Sequence, residues 1–152
     1  MSCKKLHFKG KVCDLVANVN GNAKITDPRL INAWGIVEYE QALWVASNGS
    51  GSILNYALNG NILTPEIIVP GGAPTGIAIN NADIFSFTNG TNTANAIFLI
   101  ATENGIIAAY NPAVDPSNAI AVIDRSGVNA VYTGIAVASD KIFATDFFNA
   151  RV

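Results

Sequence analysis

The chain has 152 residues, half of them hydrophobic and 13% charged, with a formal net charge of −2. That length suits one domain with a real core, and such an apolar composition excludes a disordered chain. No apolar run approaches the span of a transmembrane helix, so no membrane crossing by a helix is expected.

Charge is unevenly placed. Lys4, Lys5, Lys9 and Lys11 supply four of the nine basic residues, so five basic residues face eleven acidic ones beyond position 11. Residues 1–10 read as a basic, solvated leader, and the acidic body argues against a nucleic-acid-binding face. The leader lacks the apolar stretch and small-residue cleavage site of a signal peptide, which favours an intracellular or virion-associated protein over a secreted one. Frequent Asn and Ile are the bias of an AT-rich genome, such as that of a large DNA virus or a low-GC bacterium. Two cysteines are too few for a disulfide framework. Cys13, inside the run Val12-Cys13-Asp14-Leu15-Val16, is expected to pack as a small hydrophobe.

Residues 11–19 are rich in Val and Leu and predict a strand, broken by Asn18-Val19-Asn20-Gly21-Asn22. Asp27-Pro28-Arg29-Leu30-Ile31-Asn32 predicts a capped helical turn, with Asp27 as N-cap and Pro28 at the first helical position. Four strands follow: Trp34–Val37, Leu43–Ser47, Ser52–Leu58 and Glu66–Val69, separated by turns such as Asn48-Gly49 and Asn59-Gly60. A second unit is longer, with strands at Gly76–Ile79, Ala96–Thr102, Ile106–Tyr110 and Ala119–Asp124. Its surplus, Asn80 to Asn95, leaves the second strand open between Ala96–Thr102 and Ile84–Gly90. A third unit runs from Val131 to Val152. No long stretch has helical periodicity, and Gly or Asn punctuates every eight to twelve residues, as expected of an all-β chain.

One short cell recurs three times. Trp34-Gly35-Ile36-Val37 precedes Leu43–Ser47, Thr75-Gly76-Ile77-Ala78 precedes Ala96–Thr102, and Thr133-Gly134-Ile135-Ala136 precedes Ile142–Thr145. Repetition at about 40 to 60 residues predicts stacked blades. The fold class is therefore all-β, a partial β-propeller of about two and a half four-stranded blades over residues 11–152, with residues 11–19 as the ring-closing strand. A compact β-sandwich is the alternative. The inner strands, Trp34–Val37, Thr75–Ile79 and Thr133–Val137, should each lead a separate sheet.

Asp27-Pro28…Leu30-Ile31-Asn32-Ala33-Trp34-Gly35, Ala73-Pro74-Thr75-Gly76-Ile77, Ala101-Thr102-Glu103-Asn104-Gly105, Tyr110-Asn111-Pro112-Ala113-Val114-Asp115-Pro116 and Ala144-Thr145-Asp146-Phe147…Asn149-Ala150-Arg151 together resemble an uncharacterised β-propeller family. Its blades are of NHL or lactonase type, and its bacterial members are often secreted, some with PEP-CTERM sorting tails. The resemblance covers roughly residues 12–152 and implies the N-terminal part of such a propeller. It carries no established activity.

Candidate chemistry is sparse. His7 is the single histidine and lies in the leader, remote from any ordered site. In a propeller, the links at one end of the blades converge, which would gather Asn32, Thr75 and Thr133 as a pocket rim beside Asn48, Glu103 and Asp146. Carboxylate and amide oxygens there suit a hard cation, calcium, which in propeller lactonases polarises an ester carbonyl. The plainer reading is that Ser47, Thr102 and Thr145 and their polar neighbours terminate strands by bonding turn backbone. The leading expectation is a non-catalytic binding or scaffold module. The alternatives are a metal-dependent lactone or ester hydrolase and a truncated remnant. Because a closed ring needs more blades than are written here, a homo-oligomer or a larger protein assembly is expected to cover the end faces.

Overall fold

The structure is a computed structural model that describes residues 4–5, 10–82 and 84–152. The basic leader expected over 1–10, with Cys3 and His7, thus lies largely outside the described residues. In chain order the strands are β1 (Lys4–Lys5), β2 (Lys11–Val12), β3 (Val16–Ala17), β4 (Ile25–Thr26), β5 (Ala33–Tyr39), β6 (Ala42–Ser47), β7 (Ser52–Ala57) and β8 (Ile62–Ile68). They continue as β9 (Pro74–Ile79), β10 (Ser86–Thr88), β11 (Thr93–Asn95), β12 (Phe98–Thr102), β13 (Ile106–Tyr110), β14 (Ile120–Asp124), β15 (Tyr132–Ala138) and β16 (Lys141–Asp146). Among the described residues there is no α-helix, only single 3-10 turns at Asn48–Ser50 and Ser126–Val128. The chain is all-β.

Two sheets are four-stranded antiparallel meanders in sequence order, β5-β6-β7-β8 and β9-β12-β13-β14, and a third is the hairpin β15-β16. The surplus of the second unit forms its own hairpin, β10-β11. Phe98–Thr102 pairs with both β9 and β13, so this segment, not Ile84–Gly90, is the second strand. The fourth strand of the first sheet starts at Ile62 and runs through Pro65, which an edge strand tolerates because no partner needs its missing N–H.

Two expectations are corrected, and one, the capped turn at 27–32, is met by a single turn. The strand expected over 11–19 is two short pieces, β2 and β3. The chain turns back there to form a parallel pair with β4, in which Ile25 N donates to Leu15 O (3.0 Å) and Asp27 N to Ala17 O (2.9 Å). The helical turn at 27–32 is a single hydrogen-bonded turn. Asp27 does cap it, with Oδ1 accepting Arg29 N at 3.0 Å, but Ile31 N donates to Ser47 Oγ at 3.0 Å and the helix goes no further. Cys13 is exposed and disulfide-bonded rather than packed as a core hydrophobe.

The middle sheet is buried on both faces, and this explains why Phe98-Leu99-Ile100-Ala101-Thr102 is apolar almost throughout. Alternate residues of a strand point to opposite faces. Phe98 and Ile100 join Ala46, Ile53 and Ile67 of the first sheet, while Leu99 and Ala101 pack with Ile135, Ile142 and Ala144 of the third. Phe98, Leu99 and Ile100 are fully buried, each contributing about 1.5–3 kcal/mol of transfer free energy. Around Phe98 the rings of Tyr39, Trp44 and Tyr110 gather with centroids 5.0–6.2 Å away.

The leading strands β5, β9 and β15 lie side by side without pairing, each at the edge of its own sheet. Their glycines make this approach feasible. A Cβ on Gly35 would sit 2.8 Å from Thr75 O, and one on Gly76 would sit 2.9 Å from Ile135 Cγ2 and 3.0 Å from Ile135 N. Backbone therefore rests directly on backbone from sheet to sheet.

Candidate functional site

The end of the sheets that holds the predicted site is built by three equivalent loops, and one backbone bond in each fixes their alignment. Asn48 N donates to Asn32 O (3.2 Å), Glu103 N to Ala73 O (3.1 Å) and Phe147 N to Val131 O (2.8 Å). Strand register agrees: Ser47 is opposite Ala33, Thr102 opposite Pro74, and Asp146 opposite Tyr132. Asn48, Glu103 and Phe147 therefore occupy one position, and Ser47, Thr102 and Asp146 the one before it. The sequence reading placed Asp146 one residue out of step. The dipeptide Ala144-Thr145 imitates Ala46-Ser47 and Ala101-Thr102 but lies one residue earlier. Thr145, opposite Gly134, is the equivalent of Ala101, opposite Gly76, and a one-residue bulge is common to all three sheets.

The rim residues divide in the same way. Thr75 and Thr133 share a bulged position with Trp34, whereas Asn32 aligns with Ala73 and Val131. Thr75 is buried, and its Oγ1 donates to Tyr132 O at 2.8 Å or to Ala101 O at 3.2 Å, so it ties the second sheet to the third. Thr133 Oγ1 lies 3.0 Å from Thr145 Oγ1.

The structure brings together two of the three expected ligands. Asn48 Nδ2 donates to Glu103 Oε2 at 2.8 Å, and Asn32 Nδ2 donates to Asn48 Oδ1 at 3.1 Å. This chain of side chains bridges the first and second sheets. Asp146 is elsewhere engaged and only 4% exposed. Its Oδ1 accepts Val131 N (3.1 Å) and Asn149 N (3.3 Å), and its Oδ2 accepts Asn149 Nδ2 (2.8 Å) and Arg151 Nε (3.2 Å). Burial raises the pKa of this carboxyl, but those four donors outweigh it and hold it below the usual carboxylate value. A cation would have to displace these donors before it could use Asp146. Among the described residues no group of three or more His, Cys, Asp and Glu lies within metal-binding reach of one another.

A second buried carboxylate went unread in the sequence. Asp27 is 1% exposed, with Oδ1 accepting Arg29 Nε (2.9 Å) and Oδ2 accepting Arg29 Nη2 (2.8 Å) and Tyr56 Oη (3.1 Å). Arg29 Nη1 reaches on to Glu66 Oε2 at 3.1 Å. Burial again pushes Asp27 up, and the bonds from Arg29 and Tyr56 pull it below its ordinary value. Burial pushes the Tyr56 phenol well above its usual range, helped by the Asp27 charge. The only local signal was an Asp and an Arg flanking Pro28; the partners on β7 and β8 are too far along the chain to read.

Between the leading strands lies a channel of about 320 Å³, lined by Trp34, Gly35 and Ile36, by Thr75, Gly76 and Ile77, and by Thr133, Gly134 and Ile135. None of these nine is charged. Among the described residues, no helix is long and apolar enough to cross a membrane.

No protein-family model matches the chain. It is similar to three uncharacterised proteins of Acanthamoeba polyphaga mimivirus. One is 41% identical over 149 residues, covering 93% of this chain and 37% of the relative. A second is 38% identical over 149 residues, covering 93% of this chain and 40% of the relative. A third is 33% identical over 154 residues, covering 98% of this chain and 29% of the relative. The chain thus spans two fifths or less of the length of these viral relatives.

Proposed function

We propose that the three stacked sheets are successive blades of a β-propeller and that this chain serves as a non-catalytic binding or scaffold module. The observation that carries the reading is the channel between β5, β9 and β15. Glycine-to-backbone stacking along one axis is what radial blades require, and a two-layer sandwich would not line one channel with three leading strands. The same channel supplies neither an acid nor a base, and the two carboxylates buried among the described residues, Asp27 and Asp146, are held ionised by arginine and backbone donors. General acid–base work needs a titratable group within reach of a substrate. The resemblance of the Trp34-Gly35 and Thr75-Gly76 cells to propeller repeats points the same way. In this reading Asn48 and Glu103 are a strut between blades, and the end faces are covered by further blades of a longer polypeptide, by a second copy, or by another protein of an assembly.

The rival reading is a calcium-dependent hydrolase of lactones or esters. The two separate in one assay, turnover of p-nitrophenyl butyrate and of a γ-lactone with and without calcium. The scaffold reading expects rates equal to the buffer blank in both conditions. Calcium-dependent turnover that disappears in Glu103→Gln would overturn it in favour of the hydrolase.

A further inference from the structure

The opposite end of the leading strands carries a groove of about 370 Å³ between the first and second sheets, lined by Tyr39, Asn80, Asn81, Asn95, Asn111 and the short apolar side chains beside them. From its geometry we infer that this groove binds a neutral saccharide. That volume lies at the lower end of small-molecule sites, which span about 300–1,000 Å³. Four of the eight lining residues are asparagine and none is charged.

The four amides divide into two pairs with different tasks. Asn80 and Asn111 are spent on the frame. Asn80 Nδ2 donates to Ile84 O (2.8 Å) and Ala96 O (2.9 Å) while its Oδ1 accepts Ala82 N (3.2 Å). Asn111 Nδ2 donates to Asn95 O (2.7 Å) and its Oδ1 accepts Ala113 N (2.9 Å). These bonds hold the backbone on the second-sheet side of the groove, so a ligand need not order it. Asn81 and Asn95 make no side-chain hydrogen bond among the described residues. Each offers a carbonyl oxygen and an amino group, and an amide of that kind matches a hydroxyl, which both donates and accepts. Tyr39 closes one side, its ring fixed edge-on against Phe98 with centroids 5.4 Å apart and planes at 82°. An aromatic ring beside free amides suits a pyranose, which presents C–H groups on one face and hydroxyls at its rim. An anionic ligand would meet no positive charge among these lining residues, with the Glu40 carboxylate beside Tyr39, and a purely apolar one would strand two amides.

The inference goes beyond the scaffold reading, because a propeller scaffold would stand whether or not this groove is occupied. The test is titration of the full chain with chitotetraose and cellotetraose, read by calorimetry and saturation-transfer NMR. A sulfated disaccharide and a neutral Gly-Ser tetrapeptide serve as controls. We expect millimolar or tighter binding of at least one neutral saccharide, weakened tenfold or more in Asn81→Ala/Asn95→Ala at unchanged melting temperature. Those two side chains bond nothing in the described fold, so their removal leaves the frame intact. No binding of either saccharide, equal binding by the double variant, or preference for the sulfated sugar or the peptide would each overturn the inference.

Discussion

Among the described residues Asp27 and Asp146 are the two buried aspartates, and each pairs with an arginine two or five residues further on. Their reach differs. Asp27 bonds Tyr56 on β7 and, through Arg29, Glu66 on β8, so it clamps the incoming chain to the outer half of the first sheet. Among the described residues the Asp146 side chain bonds residues 131, 149 and 151, and so ties the turn after β16 to the adjoining start of β15. The same chemistry thus serves a long-range tie in one place and a local turn in the other. Burial and a depressed pKa therefore do not by themselves mark a functional carboxylate.

The largest expected effect is that of Asp27→Ala. It leaves the buried Tyr56 hydroxyl without its acceptor and the Arg29 guanidinium with Glu66 alone, a loss of about 2–4 kcal/mol with Arg29 partly solvated. Urea unfolding measures it, and a loss near zero would show that the clamp is not formed in solution. Asp146→Ala should lower the melting temperature less, because the groups it strands lie in one exposed-sided loop. Equal or larger damage from Asp146→Ala would reverse the ranking of the two.

The two carboxylates also predict a shared pH response. Both are held below their ordinary pKa, so as pH falls the unfolded chain binds protons first. Their contribution is fully present above about pH 4 and is lost as pH drops through the folded values. Stability of the native chain should therefore fall more steeply below about pH 4 than that of Asp27→Asn. Parallel curves for the two would remove Asp27 from the account.

Tyr56→Phe tests one bond of the Asp27 cluster and should cost about 1 kcal/mol. The smallest effect is expected at the strut. Asn48→Ala removes a half-exposed bond to Glu103 and should cost no more than about 1 kcal/mol. Added calcium should not change that value. A calcium-dependent rise in melting temperature, abolished by Asn48→Ala, would instead revive the metal reading of Asn48 and Glu103.

Much of the sheet architecture is legible in the residues. Ile106–Tyr110 is a strand over the same residues that its pattern marks, because it lies between two turn signals. Gly35, Gly76 and Gly134 announce strands whose backbones approach closely, and the first two do rest on a neighbouring strand. The candidate site was less legible. Asn48 and Glu103 meet because their loops are equivalent, and the repeat shows this. Asp146 does not join them, because Ala144-Thr145 imitates Ala46-Ser47 and Ala101-Thr102 one residue early, and pairing with Tyr132 leaves Asp146 at the buried position before the loop.

The sequence alone determined that this protein is all-β, that turns punctuate it every eight to twelve residues, and that three glycine-led cells repeat. Local backbone preference and alternation specify such features within a few neighbours. Only the tertiary structure decided which strand fills the middle of the second sheet, where Asp146 spends its oxygens, and that Asp27 reaches Tyr56. Those outcomes depend on register and on contacts between residues tens of positions apart. A one-residue shift in a strand turns every side chain to the other face without altering the pattern that predicts the strand.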